Sequence, residues 1–453
     1  MLEPVDADPL ASPIRRLPDQ DRSAATGPVG AQAPVAPASD RDPGARRGSD
    51  GARTHARSAA PRRVLIIVEN LPCPFDRRVW QEARTLVAAG YAVSIICPKG
   101  KGYERGFEEI DGIAIYRHPL PFEAAGASGY ALEYLWALLA EFALSLRVLA
   151  TRGFDVVHAC NPPDTIFLIG GFYKLLGKKF LFDHHDINPE LYEAKFGRRD
   201  FFHRLLCALE RWTFRTADVA IATNESYRRI AVERGAMSPE RVFVVRSGPD
   251  LRRLKIVPPD LALKHGRRFL VGYVGVMGHQ EGIDLLLQAV RHIVHARGRQ
   301  DVHFGLVGGG TELPALQALA RELDVADYVT FTGRVPDAEL LAMLNTADVC
   351  VNPDRANDMN DKSTMNKVME YMALGKPIVQ FDLTEGRVSA GAASLYARRN
   401  DGIDLAEQLL ALLDDEPRRL EMGRFGRERV QSQLGWDHEA PRLLAAYERL
   451  FQS

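Results

Sequence analysis

The strongest constraint on this chain is the regular alternation of continuous apolar runs with amphipathic stretches. VLIIVEN begins at Val64, and the runs FDVVHAC, KKFLFDHHD and ADVAIAT follow it. An uninterrupted apolar run is typical of a strand that is buried on both faces, as in a parallel sheet covered by helices. Stretches with helical periodicity separate the runs, for example at 78–89 and 165–176. The alternation therefore predicts parallel βαβ units in an α/β fold.

A second series of the same kind begins after the polar stretch at 258–268. Its first strand, RFLVGYVGVMG, enters a glycine-containing turn, and helices alternate with the later strands VHFGLVGGG, YVTFTGRV, DVCVNP and KPIVQFD. A chain of 453 residues is also longer than one ordinary core requires. We therefore predict two doubly wound domains, at 61–257 and 258–435. A final helix at 436–453 is predicted to return to the first domain.

The first sixty residues differ from the rest of the chain. They are rich in Pro, Ala, Gly, Arg and Asp, and they contain no aromatic residue. Such a segment cannot bury enough apolar surface to offset the entropy lost on ordering. It also lacks the apolar centre of a signal peptide. We predict a disordered arm at 1–60.

Charge and cysteine content narrow the classes of partner and compartment. The formal net charge of -1 gives no reason to expect nucleic acid as a partner. The five cysteines show no CxxC spacing, so neither a disulfide framework nor a zinc site is predicted. A reducing cytoplasm fits this pattern.

One apolar segment, from Gly129 to Leu146, is almost long enough to cross a membrane. It contains Glu133 and Glu141, and a charge near the centre of a span costs roughly 2.5–3.5 kcal/mol. Spanning is therefore disfavoured. Two alternatives remain open, a helix packed within the domain and a helix that lies on a membrane surface.

Polar residues at strand ends are the first candidates for chemistry, because open parallel sheets bind ligands there. The first strand lacks a following GxGxxG, which argues against a nicotinamide or flavin enzyme. His185 and Asp186 follow an apolar strand and fit either an acid–base pair or a strand-end network without chemistry. Gly308 and Gly309 fit either close approach to a phosphate or a structural turn.

The block Asn360 to Val379 carries the most specific pattern. Lys367 lies on the first turn of a predicted helix, where a cation opposes the helix dipole and so suggests a bound anion. Glu370 lies one turn further along on a similar face, where a carboxylate can accept two hydroxyl groups of a ribose. The alternative is an ordinary capped helix with a surface Lys–Glu pair.

The ordered segments resemble glycosyltransferase family 4, which has the GT-B fold. The resemblance extends over nearly all of 62–453 and rests on FDRRVWQEARTLVAAGYAVSIIC, FLFDHHDINPELY, YVGVMGHQEGIDLLLQAV, LVGGGTEL and EYMALGKPIV. It implies two Rossmann-like domains that face each other across a cleft. It also implies a retaining sugar transfer from a nucleotide-diphosphate donor.

The resemblance assigns roles residue by residue, with three departures. Glu370 matches the second acid of the family's Glu-x7-Glu element, but Lys362 stands at the first acid's position. Val276 and Glu281 stand where many members have Arg and Lys, and Cys160 stands where many have a His facing the sugar. The implied donor-binding residues are Gly275, His279, Gly308, Gly309, Arg334, Val335, Ser363, Thr364, Asn366, Lys367 and Glu370. The candidate catalytic residues are Asn161, Asp164, His185 and Asp186. On the acceptor side, Asp76, Arg77 and Arg78 either cap the entry helix or contact an acceptor phosphate.

We therefore expect a retaining glycosyltransferase that transfers a sugar, UDP-linked by default, to a lipid-linked or polysaccharide acceptor. Asp-x-Asp triplets occur only within 1–60, so no metal cofactor is expected. The protein is expected in the cytoplasm, with membrane-surface contact through 129–146. Two other functions remain open, a GT-B nucleotide-sugar epimerase and a non-catalytic nucleotide-sugar-binding subunit.

Overall fold

A computed structural model describes residues 61–120 and 126–452, and it describes the side chains of these residues except those of 126–133. The predicted arm at 1–60 and the Glu133 side chain lie outside this part of the chain. The described residues form two parallel sheets with helices on both faces of each.

The first sheet has eight strands, most of them formed by the apolar runs of the first series. They are β1 (Arg63–Ile67), β2 (Ala92–Pro98), β3 (Phe107–Ile110), β4 (Ile113–His118), β5 (Val156–Cys160), β6 (Lys179–His184), β7 (Val219–Ala222) and β8 (Val242–Val244). The helices of this half are α1 (Arg77–Ala88), α2 (Gly126–Thr151), α3 (Phe167–Leu175), α4 (Asn188–Phe196), α5 (Phe201–Thr216) and α6 (Glu225–Glu233).

The second sheet repeats the plan with six strands in the described part of the chain. They are β9 (Phe269–Val274), β10 (Val302–Val307), β11 (Val329–Gly333), β12 (Val349–Asn352), β13 (Ile378–Phe381) and β14 (Ser394–Ala397). The remaining helices are α7 (Ile283–Arg291), α8 (Leu313–Glu322), α9 (Asp337–Thr346), α10 (Asp358–Lys362), α11 (Asn366–Ala373), α12 (Thr384–Ala390), α13 (Gly402–Leu413), α14 (Glu416–Arg429) and α15 (Trp436–Gln452).

Strand order places a ligand-binding crevice in each half. The orders are β3-β4-β2-β1-β5-β6-β7-β8 and β11-β10-β9-β12-β13-β14, and all neighbours are parallel except the β3–β4 pair. The order reverses at β1/β5 in the first sheet and at β9/β12 in the second. Doubly wound sheets bind ligands at such switch points, beyond the carboxyl ends of the strands. The two-domain α/β architecture predicted from the sequence is confirmed.

The last helix packs against the first sheet rather than the second. On α15, Leu443, Ala446 and Tyr447 are buried in the same apolar cluster as Val79 and Leu86 of α1. The chain therefore crosses between the two halves twice, once near 245–268 and once before Trp436.

Candidate functional site

Side chains from the first half contact the segment that leads into α11. The Asn224 side-chain amide donates to Lys362 O at 2.9 Å and to Thr364 Oγ1 at 3.0 Å. The Tyr227 hydroxyl lies 3.0 Å from Ser363 Oγ. The two hydroxyls predicted to meet a diphosphate thus join the two halves in this structure. They also place the N-terminus of α11 against the ends of the first sheet.

Lys362, at the position of the family's first acid, is part of the same bridge. Its ammonium lies 3.3 Å from Glu190 on α4 and 2.7 Å from Asp358. Glu190 is in turn paired with Arg234 at 2.8 Å. The departure from the Glu-x7-Glu pattern therefore gives a cross-cleft ion pair.

Glu370 lies mostly buried, with two guanidinium groups on one of its oxygens. Arg77 Nη1 donates to Glu370 Oε1 at 2.9 Å, and Arg253 Nη2 donates to the same oxygen at 2.5 Å. Both arginines also pair with Asp337, at 3.1 and 3.3 Å. Within the described part of the chain, no side chain donates to Glu370 Oε2, which leaves that oxygen for a ligand hydroxyl.

Lys367 is enclosed by two carboxylates, Glu281 and Asp354. Its ammonium contacts Glu281, lies 2.8 Å from Asp354 Oδ1 and lies 3.5 Å from the Tyr273 hydroxyl. Burial alone would lower the pKa of Lys367, but Asp354, Tyr273 and Glu281 together hold it well above its usual range. Burial also raises the pKa of Asp354 to about 8.

The glycines of the predicted donor turn have different roles. At Gly308, with φ of 131°, an added Cβ would meet Gly275 O at 1.9 Å, so the backbone requires glycine there. At Gly309 an added Cβ would have nothing within 4 Å. Packing therefore explains Gly308, whereas no contact within the described chain requires glycine at 309.

The other predicted donor residues lie around this turn and the cleft. His279 is exposed in the turn after β9, and Asn366 is exposed at the start of α11. Arg334 extends across to the first half, where its guanidinium lies 5.4 Å from the Phe75 ring centroid. Val335 packs against the apolar cluster beneath α11.

On the opposite side of the cleft, His185 is held by a buried ion pair. Its Nε2 contacts Asp183, and Arg78 donates to both oxygens of that carboxylate at 2.8 and 3.0 Å. Burial alone would raise the pKa of Asp183, but Arg78 and His185 keep it well below its usual range. Arg78 Nε also lies 3.0 Å from His185 Nε2, so this nitrogen faces both a donor and the carboxylate. We assign the proton to Nε2, because the ionised carboxylate is the strongest acceptor at the ring and Arg78 already donates to that carboxylate. Nδ1 is then the acceptor nitrogen.

Asn161 organises the other predicted catalytic residues. Its side-chain oxygen accepts from the backbone N–H groups of His185 at 2.8 Å and Asp186 at 3.2 Å. Its amide donates to Asp164 Oδ1 at 2.9 Å. Asn188 donates to the other oxygen of Asp164 at 2.8 Å. Burial, with Glu210 nearby, raises the pKa of Asp164 to about 7, and burial also raises the pKa of Asp186. The structure therefore brings all four candidates together.

A buried polar cluster lies behind His185. His158, Cys160 and Asp183 have ligand atoms within 4.8 Å of one another, which makes them the one possible metal cluster among the described residues. Burial, followed by Asp183, raises the pKa of Glu82 well above its usual range, and burial lowers the pKa of His158. Asp183 is already bound by Arg78 and His185. The cluster thus fits a charge-compensating network better than a cation site.

The three acceptor-side candidates have different positions in the structure. Asp76 accepts from Val79 N at 3.0 Å and caps α1. Arg77 reaches Glu370 across the cleft. Arg78 is buried and donates to Val245 O at 2.8 Å, so its side chain does not face solvent. A cavity of about 890 Å³ runs beside α1, from Glu370 and Asn366 to Trp436 on α15.

Sequence reasoning missed three residues of this site: Asp183, Arg253 and Asp354. Asp183 lies inside the apolar run of β6, where its only signal was a charged residue in a buried strand. Arg253 and Asp354 belong to no recognised motif. Each lies in a segment that follows a strand end, which was the available signal.

Two facing doubly wound domains with polar strand ends on both sides of one cleft define the GT-B class of architecture. Two family models match this chain. The model of Glycosyltransferase Family 4 matches residues 76–253, and that of group 1 glycosyl transferases matches residues 268–415. The chain belongs to glycosyltransferase family 4.

Known proteins agree with this membership. The chain is 30% identical over 263 residues to 2-deoxystreptamine glucosyltransferase of Streptomyces kanamyceticus, covering 55% of this chain and 65% of that protein. The chain thus spans just under two thirds of the length of this curated relative.

Solved structures show the same fold. Sucrose-phosphate synthase of Thermosynechococcus elongatus has a TM-score of 0.71 at 19% identity, covering 86% of this chain and 100% of that one. HepE of Anabaena, in complex with UDP-glucose, has a TM-score of 0.64 at 14% identity, covering 85% and 99%.

Proposed function

We propose that this protein is a retaining glycosyltransferase. It transfers a sugar from a nucleotide-diphosphate donor to a lipid-linked or polysaccharide acceptor. The observation that carries the proposal is the placement of Glu370 and Lys367, on α11, in one cleft with His185 and its neighbours at the ends of β5 and β6. Family membership supports the reaction class.

The donor lies along α11. Glu370 Oε2 accepts the ribose hydroxyls, while Arg77 and Arg253 fix the carboxylate through Oε1. The backbone N–H groups at the start of α11 and the Lys367 ammonium face the diphosphate. Gly309 allows the phosphates to approach the backbone closely. These positive groups offset the charge that develops on the leaving nucleotide.

The transferred sugar lies toward the first half. His185, oriented by Asp183, accepts a hydrogen bond from a sugar hydroxyl at Nδ1. Asp164 and Asp186 lie beside it, with pKa values raised by burial. Asp164, whose pKa is raised to about 7, can donate or accept a proton during transfer.

The base and the compartment are further parts of the proposal. Uridine is supported by the UDP-glucose bound to the structurally similar HepE. A cytoplasmic location is supported by the five cysteines, which are all free thiols. We also propose that transfer needs no metal ion, because Lys367, Arg77 and Arg253 supply positive charge at the donor site.

A transfer assay tests this function. The full chain is incubated with a panel of nucleotide sugars and with water-soluble and lipid-linked acceptors, with and without chelator. We expect a glycosylated acceptor of retained anomeric configuration, one nucleoside diphosphate released per transfer, and no loss with chelator. Conversion of the donor sugar into its epimer without transfer would instead show an epimerase. Binding of the donor without turnover would show a non-catalytic subunit.

A variant of His185 connects this assay to the structure. His185→Ala is expected to lower turnover at least ~10-fold, about 1.4 kcal/mol of barrier, with nucleotide affinity near wild type. Equal loss of nucleotide binding would show that the ring has only a structural role.

A further inference from the structure

The first half exposes an unusual number of large apolar side chains on one helical layer. On α2, Leu135, Leu139 and Leu146 are 52%, 58% and 40% exposed. Their spacing of four and seven residues places them on one stripe of the helix. The opposite stripe, which includes Glu141, is buried. This helix is also the one segment of the described chain that is long and apolar enough to span a membrane, by length and composition alone.

The stripe continues onto α3 and α5. Leu175 on α3 is 88% exposed, and Phe201, Leu205 and Trp212 on α5 are 64%, 38% and 49% exposed. The α5 residues repeat the four-and-seven spacing of α2. Such a stripe on a helix normally faces a core, but here it faces outward.

Aromatic contacts make these three stripes one continuous surface. Phe142 of α2 and Phe172 of α3 have ring centroids 5.0 Å apart. Phe167 of α3 and Trp212 of α5 have ring centroids 5.7 Å apart. We call this continuous face the α2–α3–α5 surface.

The charges around the surface have one sign. From 134 to 216, every charged residue that is exposed is Lys or Arg, including Arg147, Arg204, Arg211 and Arg215. Every acidic residue in the same stretch is buried or only partly exposed. An apolar face surrounded by basic side chains complements a bilayer that carries anionic headgroups.

We propose that the α2–α3–α5 surface docks on an anionic phospholipid bilayer without crossing it. The apolar stripes enter the headgroup boundary, and the arginines contact lipid phosphates. Glu141 and Val148 keep α2 packed on the sheet, because both side chains are fully buried. The helix therefore lies along the membrane rather than through it.

The surface also ends beside the cleft. Helix α3 begins shortly after β5, and α4, which leads into α5, begins shortly after β6. The carboxyl ends of these parallel strands face the cleft. Phe196, at the end of α4, is 43% exposed, and Glu190 on the same helix pairs with Lys362 across the cleft. Docking thus brings the headgroup of a lipid-linked acceptor to His185. This last step rests on the proposed function.

Vesicle co-sedimentation of the full chain, without donor or acceptor, tests the docking. One vesicle set is phosphatidylcholine alone, and the other contains about a third phosphatidylglycerol. We expect at least ~10-fold stronger binding to the anionic vesicles, reduced by high salt. The variants Leu175→Ser with Phe201→Ser, and Arg204→Glu with Arg215→Glu, are each expected to weaken it at least ~10-fold.

The matched control lies on α14. Leu420 is 68% exposed and Arg418 is also exposed, so Leu420→Ser with Arg418→Glu makes the same kind of change elsewhere. We expect this control to bind vesicles as wild type does. The proposal would be overturned by equal binding to both vesicle sets or by unchanged binding in both pairs of surface substitutions. It would also be overturned if the protein were a soluble dimer that these substitutions dissociate. Transfer to a water-soluble acceptor, measured on the same variants, separates failure of docking from failure of the proposed function.

Discussion

Arg253 Nη2 lies 2.5 Å from Glu370 Oε1, so a residue from the crossing between the two halves holds the acid that we assign to the ribose. Arg77 contacts the same oxygen at 2.9 Å from the start of α1. A carboxylate offers about four acceptor sites on two oxygens, so the two arginines orient Glu370 without occupying it. The proposed function therefore predicts that donor affinity depends on residues outside the second half.

This arrangement predicts that Arg253→Ala weakens nucleoside binding. Loss of this hydrogen bond to a charged group frees the Glu370 side chain to rotate. Because Arg253 is partly exposed, we expect the loss of binding free energy to be about 1 kcal/mol, roughly fivefold in affinity. Calorimetric titration of Arg253→Ala, Glu370→Gln and the double variant checks it. Strictly additive losses would show that the two residues act independently.

The Lys367 group predicts opposite effects from its two charged members. Lys367→Ala is expected to weaken nucleoside diphosphate binding at least ~10-fold, but nucleoside binding much less. Glu281→Gln removes an anion that neutralises Lys367, so it is expected to strengthen diphosphate binding several-fold. Paired titrations of nucleoside and nucleoside diphosphate measure both effects, with melting curves as the control for folding. Normal diphosphate binding by Lys367→Ala would place the phosphate site elsewhere.

The two neighbouring glycines give a test of ligand approach. Gly309→Ala adds a Cβ in open space, so the melting temperature is expected to stay near wild type while nucleotide affinity falls. Gly308→Ala places its Cβ against Gly275 O and is expected to lower the melting temperature by several degrees. Unchanged nucleotide affinity in Gly309→Ala would remove the β10 turn from the donor site.

Asp164 predicts a pH dependence of stability. Its pKa is raised from 3.8 to about 7, so between these values the folded state holds a proton that the unfolded state has lost. The free energy of unfolding therefore falls as pH rises from about 4 to 7, by at most about 1.4 kcal/mol per pH unit from this group. Denaturant melts of wild type and Asp164→Asn at several pH values isolate the contribution. Parallel curves for the two proteins would contradict the assignment.

The sequence predicted the buried parallel strands because their apolar runs are continuous. The hairpin of β3 and β4 was missed, although Asp111 and Gly112 both have positive φ, of 51° and 76°, and form an Asp-Gly turn. FEEI, on β3, lies at the sheet edge, where Glu108 and Glu109 interrupt any apolar run.

Local pattern also placed Lys367 and Glu370 correctly on the first turns of α11. Local pattern could not predict their partners, because Glu281 lies 86 residues from Lys367 and Arg253 lies 117 residues from Glu370 along the chain. The same applies to Ser363 and Thr364, whose partners Tyr227 and Asn224 come from the other half. Helix position is a local property, whereas charge compensation across a cleft depends on the tertiary fold.

A crystal structure with bound nucleotide tests the account's central claim most directly. The full chain is crystallised with the nucleoside diphosphate that, among a panel, raises its melting temperature most. We predict both ribose hydroxyls within about 3 Å of Glu370 Oε2 and the diphosphate beside the first turn of α11, Gly309 and Lys367. A nucleotide bound elsewhere, with Glu370 contacting only Arg77 and Arg253, would contradict it.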